Sequence, residues 1–140
     1  MKKIYVKKFG DFLNEEIGSG LLEDNMDGYM IGKLFQSRDI AHLNHLATES
    51  YAEHKALNEY YDGILDLTDR FAEAYQGTFG KVEITIPSSE PINMNEHLTE
   101  LKDDLSNYRI GYTDQTDLET IIDEMVELIS TTLYKINELH

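Results

Sequence analysis

Apolar residues recur at intervals of three and four along most of this chain, and that spacing predicts helices. From about residue 29 to 48, Ile31, Leu34, Phe35 and Leu46 fall on one side, with Asp27 placed to cap the start. From about 50 to 77, Leu57, Tyr60, Ile64, Leu67, Phe71 and Tyr75 form one apolar arc, and Gly77 is the expected stop. A third helix is expected behind Asn95 as cap, through Leu98, Leu101, Leu105 and Tyr108, ending at Gly111. Thr116 and Glu119 then make a capping-box pattern ahead of Leu118, Ile122, Met125, Ile129, Leu133 and Ile136.

The pattern changes between the second and third helices. In TFGKVEITIPSSEPIN, residues 78–93, KVEITI alternates like a short strand, and both prolines of the chain stand here, so the segment reads as an ordered linker. Ahead of the first helix, Gly10, Gly18 and Gly20 interrupt any long period. Residues 1–26 therefore read as a leader or arm, either part of the same domain or flexible, and 27–140 as a four-helix domain. The expected fold is all-α, an antiparallel four-helix bundle with a long crossover between helices two and three.

Composition narrows the function classes. A chain of 140 residues fits one compact domain. No run approaches the roughly 18 apolar residues of a membrane span, and MKKIYVKKFGDF lacks the apolar core of a signal peptide, so a cytoplasmic place inside a cell is expected. With no cysteine, disulfides and thiolate chemistry drop out, and any metal must be held by His, Asp, Glu, Asn or water. The formal charge of −15 argues against binding nucleic acid with the body of the protein, which attracts cations instead. Only Lys2, Lys3, Lys7 and Lys8 form a basic arm. Phosphate-cradling glycine loops, HExxH and Glu-x-x-His patterns are missing, the last counting against a di-iron site inside one bundle.

The candidate chemistry begins at HLNHLATESYAEH, residues 42–54, which holds three of the five histidines. Taking about 100° per residue, positions 54, 58, 62, 69 and 73 of the second helix fall within roughly 100° of one another, with Asp66 at the edge. This stripe is centred about 120° from the apolar arc, so it faces solvent or another subunit. His42 lies on the apolar side of the first helix, where a covered imidazole needs a partner. His45 shares that side, as a packed histidine or as an auxiliary to the site. The stripe itself reads either as a metal site or as a solubilising acidic face.

The spacing of His42, His54, Asn58, Asp69 and Glu73 resembles the ferroxidase pattern of the Dps-like miniferritins, members of the ferritin-like superfamily. Tyr51 before the second histidine, the DRFAE segment and the closing LYKINEL are similar to the family as well, and Asn58 stands where the family has aspartate. The resemblance implies a ferritin-like bundle that binds iron between subunits: His42 and His54 from one chain, Asp69 and Glu73 from another. It also implies oxidation of Fe(II) by peroxide or oxygen, with another divalent metal as an option, and a homo-oligomer of two or, on the family plan, twelve chains. Asp62, one turn beyond Asn58 on the same stripe, is an auxiliary candidate by its helical spacing alone, at a position the family does not use. HLATESYAEHKALNEYYD and the lysine-containing leader also resemble short proteins encoded by tailed bacteriophages. A non-catalytic assembly or a virion or host-interaction protein on the same scaffold is the alternative.

Overall fold

A computed structural model describes residues 25–139, so the leader before Asn25 and the terminal His140 lie outside the described residues. Among these residues there are helices and no strand: α1 Met26–Ala47, α2 Tyr51–Phe79, α3 Met94–Arg109, and α4 Thr116–Glu138. A 3-10 turn, Ile110–Tyr112, extends α3. The apolar faces close on one core, in which Tyr60, Phe71, Leu98, Leu105, Leu118 and Ile129 are fully covered.

Cross-links between side chains give the direction of each helix. Lys135 meets Glu59 and Arg70 meets Glu124, so α4 runs antiparallel to α2. Lys33 reaches Asp104 while Ser37 reaches His97, so α1 and α3 are antiparallel too. Arg109 on Asp123 pairs the end of α3 with the first half of α4. Every neighbouring pair is therefore antiparallel, and α2 and α3 are parallel. The link from α2 to α3, residues 80–93, has to travel the length of the bundle.

That link is an extended strap lying along α1. Asn25 donates its side-chain amide to the Glu83 carbonyl at 2.9 Å, and Gln36 donates to the Ser88 carbonyl at 2.9 Å. The two repeats agree: eleven helical residues rise about 16.5 Å at ~1.5 Å each, and five extended residues span about 16.5 Å at ~3.3 Å each. Between those anchors the strap touches the helix backbone itself. A Cβ on Gly28 would overlap the Glu83 carbonyl oxygen, and one on Gly32 would overlap that of Thr85. Val82 and Ile84 turn inward onto the core. The alternation seen in KVEITI thus reflects one covered face, without a partner strand among the described residues.

Several helix ends differ from expectation. Asp27 does not cap α1; it lies in the first turn, and its carboxylate accepts hydrogen bonds from Tyr75 at 2.8 Å, Tyr108 at 2.6 Å and Tyr112. Burial, reinforced by the carboxylate, holds these phenols protonated above the ordinary tyrosine range. Gly77 does not stop α2, which continues until Phe79 packs on Tyr75 and Tyr112, and Gly80 at φ +93° ends it. The α3 cap is Asn93, whose Oδ1 accepts from the Glu96 amide at 3.0 Å, in place of Asn95. Thr116 opens α4 without a side-chain cap, and Gly111 lies buried within the 3-10 turn. Leu46, one residue before the end of α1, is 70% exposed and lies outside the core.

Inside the other half of the bundle, His97 Nε2 and Ser37 Oγ are 2.7 Å apart, and Ser37 Oγ and Tyr60 Oη 2.6 Å. Burial, with the Lys33 charge adding to it, pulls His97 down to about 4. Its folded value thus lies below the ~6.5 of an exposed histidine, so the unfolded chain binds the extra proton between these values. The stability contributed by neutral His97 is complete above about pH 6.5 and lost as pH falls toward 4, a change of up to about 3 kcal/mol. Denaturant midpoints of wild type and His97→Gln across that window check this, and the variant is expected to show the shallower acid slope.

The strap contact gives a second expectation. Gly32→Ala is expected to lower stability by about 1–3 kcal/mol, because two backbones must separate. Gly77→Ala, where an added Cβ meets nothing within 4 Å, is expected to raise it by about 0.5–1 kcal/mol through helix propensity. Thermal melts of the two variants read these opposite signs.

Candidate functional site at the first helical elbow

Between α1 and α2 only Thr48, Glu49 and Ser50 intervene. Ser50 Oγ accepts from the Glu53 amide at 3.2 Å and starts α2, while the Ser50 amide donates to Thr48 Oγ1 at 3.1 Å. This tight elbow brings His45 and His54 face to face. Their ring centroids are 3.6 Å apart, with planes 19° from parallel. His45 Nδ1 lies 2.6 Å from the His54 carbonyl oxygen, and His54 Nδ1 lies 2.8 Å from the His45 carbonyl oxygen. A carbonyl only accepts, so each Nδ1 carries its proton and donates. In the neutral ring the lone pair is then on Nε2, the tautomer that binds metal ions when a backbone carbonyl orients the ligand.

His42 extends the cluster. Its ring stacks on Tyr61 at 4.3 Å and stands 5.8 Å from His45. Tyr61 Oη donates to Asn58 Oδ1 at 3.1 Å, and Asn58 Nδ2 donates to Asp62 Oδ2 at 3.0 Å. His42, His45, His54, Asn58 and Asp62 are thus parts of one connected group at one end of the bundle. His45 is buried, whereas His42 and His54 are half-buried. The stacked rings of His45 and His54 present lone pairs in nearly parallel planes about a ring thickness apart. An ion about 2.0 Å from one nitrogen therefore lies outside the other ring's plane, which makes His45 a positioning residue for His54.

Asp69 and Glu73 are elsewhere. Fifteen residues separate His54 from Asp69, about 22 Å along a helix. Both carboxylates are exposed, and neither forms an ion pair among the described residues. Glu59 contrasts with them, since the Lys135 hydrogen bond holds its carboxyl below the usual range. Among the described residues of one chain, no three His, Asp or Glu side chains are grouped to hold an ion. A site that joins the imidazoles to Asp69 and Glu73 requires a second copy of the chain.

Sequence reasoning missed Tyr61 and the reciprocal bonds between His45 and His54. The signal for Tyr61 was present, one turn after Asn58 on the same helix. That two histidines nine residues apart would exchange carbonyls depends on the turn geometry, which residue spacing does not specify.

Asn58→Asp separates two roles for this position. Without metal it replaces the amide bond to Asp62 with like charges one turn apart, and stability is expected to fall by about 0.2–0.5 kcal/mol. With a divalent ion bound there the sign reverses. Melting temperature measured in chelator and again with Mn(II) or Zn(II) reads the reversal.

A family model described as a family of unknown function, DUF5856, matches residues 45–136, a span that begins at His45 and takes in all of α2, α3 and most of α4. No curated protein and no solved structure matches the chain.

Proposed function

We propose that this chain, which belongs to the DUF5856 family, binds Fe(II) as a substrate at a site shared between two copies and oxidises it on a ferritin-like scaffold. The observation that carries the reading is the pair of carbonyl-bound Nδ1 atoms, because the protein's own backbone orients His54 and puts its lone pair on Nε2, the metal-binding tautomer. His42 and His54 supply neutral nitrogen donors from one copy. Asp69 and Glu73 of the other supply hard oxygen donors that favour Fe(III) once it forms. Asp62, tied to Asn58, adds a carboxylate beside the imidazoles, and His45 keeps His54 in place. Each Fe(II) loses one electron, and hydrogen peroxide accepts two and leaves as water after taking up two protons; oxygen is the other acceptor in reach of this chemistry.

The antiparallel bundle with its full-length crossover supports the scaffold part of the reading, because it connects two parallel helices across the diagonal. The acidic character of the chain supports the substrate, since unpaired carboxylates along α2 concentrate cations at the surface. The engagement of Asn58 by Tyr61 and Asp62 favours the second reading, a non-catalytic helical assembly, such as a bacteriophage virion or host-interaction protein, in which position 58 has become structural.

Anaerobic addition of Fe(II) followed by peroxide distinguishes the two. The Fe(III) absorbance is expected to rise quickly with wild type and to fall at least tenfold in initial rate with His54→Ala and with Glu73→Ala. Mixing these two variants is expected to restore part of the rate, because a mixed pair retains one intact site. Equal progress curves for wild type and both variants would leave the assembly reading.

A further inference from the structure

The strap has two edges, and over residues 83–86 only one of them is used. Carbonyls of Glu83 and Thr85 face Gly28 and Gly32 on α1. In an extended chain, successive residues direct their peptide groups to opposite sides, so the N–H and C=O groups of Ile84 and Ile86 point away from α1. The Val82 amide is taken by Gln76 Oε1 at 3.2 Å. Among the described residues, none of the amides from Glu83 to Glu90 donates a hydrogen bond to protein. Pro87 has no amide to lose, and past it the alternation ends, since the Ser88 carbonyl turns back to Gln36 on α1. An open row of backbone donors and acceptors is a template for another extended segment.

Charge selects which segment this is. Nearly all of the protein repels a second copy, since α2 and α4 together carry most of the acidic excess. The face made by α1 and the strap is the exception: Asp27 and Lys33 are turned inward onto the tyrosines and Asp104, Arg38 is paired with Asp39, and Lys81 is set against only Glu83 and Glu90. The same face exposes Ile86 at 49% and Ile92 at 40%. It continues into an open groove of about 420 Å³ lined by Gln36, Ile40, Ser88, Ser89, Glu90 and Ile92. Two copies meet with least repulsion here.

We propose that the outer edge of the strap is a self-association surface, on which residues 82–86 pair antiparallel with the same residues of a second copy about a two-fold axis at Ile84. In that register the Ile84 amides and carbonyls of the two copies exchange hydrogen bonds. The Ile86 amide reaches the Val82 carbonyl across the axis, leaving the Val82 amide on Gln76. Glu83 stands opposite Thr85. Shifting the axis to Glu83 would set like charges directly against each other, so the register is fixed by repulsion as well as by pairing. This pairing does not rest on the metal reading and forms in chelator.

Sedimentation of the full chain in EDTA is expected to give the mass of two copies, and Ile86→Pro, which removes an edge donor, to give that of one with an unchanged helical circular dichroism spectrum. Amide exchange in wild type provides a readout independent of any variant. Ile84 and Ile86 are expected to exchange at least tenfold more slowly at high than at low protein concentration, with Glu83 and Thr85 unaffected. A single-copy mass for wild type would overturn the proposal, as would a dimer retained by Ile86→Pro or concentration-independent exchange at Ile84 and Ile86. Protection on α2 instead of the strap would show a dimer built elsewhere and also overturn it. The iron assay is unaffected by any of these outcomes, so the two readings fail separately.

Discussion

The arrangement of the bundle depends on one close approach between backbones, where the strap crosses α1 at Gly28 and Gly32. Because α2 and α3 are parallel, their connection cannot be a short turn and must cover the length of the molecule. A helical connection rises only about 1.5 Å per residue and would need more than twice as many residues as an extended one for the same distance. Extended chain, however, leaves its own amides and carbonyls unpaired. The two glycines let those carbonyls lie on the helix surface, and Asn25 and Gln36 supply side-chain donors at either end. Strap and helix are thus matched in length, shape and hydrogen bonding over three turns.

Polar groups inside the bundle fix which ends come together. At one end, Asp27 gathers hydroxyls from α2, α3 and the 3-10 turn, and at the other, Ser37 ties Tyr60 on α2 to His97 on α3. Apolar packing alone tolerates sliding of one helix past another by a turn. A half-buried carboxylate whose hydrogen bonds come from three elements does not, because each lost bond leaves part of its charge poorly solvated. The two networks start from the first turn and the middle of α1, and so α1 acts as the reference for the register of α2 and α3. The elbow histidines do the same for the turn between α1 and α2.

The helical plan was legible in the sequence because each helix carries a continuous apolar face; the buried sides of α2, α3 and α4 follow the predicted spacing from Leu57 to Ile129. Helix ends were less legible. Gly77 looks like a stop, but aromatic contacts of Phe79 keep the helix intact past it, and Asn93 and Asn95 are equally good caps until the strap decides where the turn begins. Asp27 resembled a cap because its local sequence cannot show three distant tyrosines. Nothing in the spacing marks Gly28 and Gly32, since their role depends on a segment more than fifty positions later. At the candidate site, spacing along α2 correctly separated the acidic stripe from the core, yet it could not reveal that Asn58 is held by Tyr61 and Asp62.

The placement of charge ties these features to function. A chain with a net charge of −15 gains nothing from leaving Asp66, Asp69 and Glu73 unpaired on one helix face unless that face remains in water or meets cations. If two such faces approach without ions, like charges destabilise the contact, so an assembly through α2 is linked to cation binding by the same thermodynamics that makes any ligand stabilise the state it binds. Contact through the nearly neutral strap face carries no such linkage. On the two proposed surfaces, self-association is therefore expected to depend differently on divalent ions, strengthened by them through α2 and indifferent to them through the strap, because acidic residues crowd the one face and are few on the other.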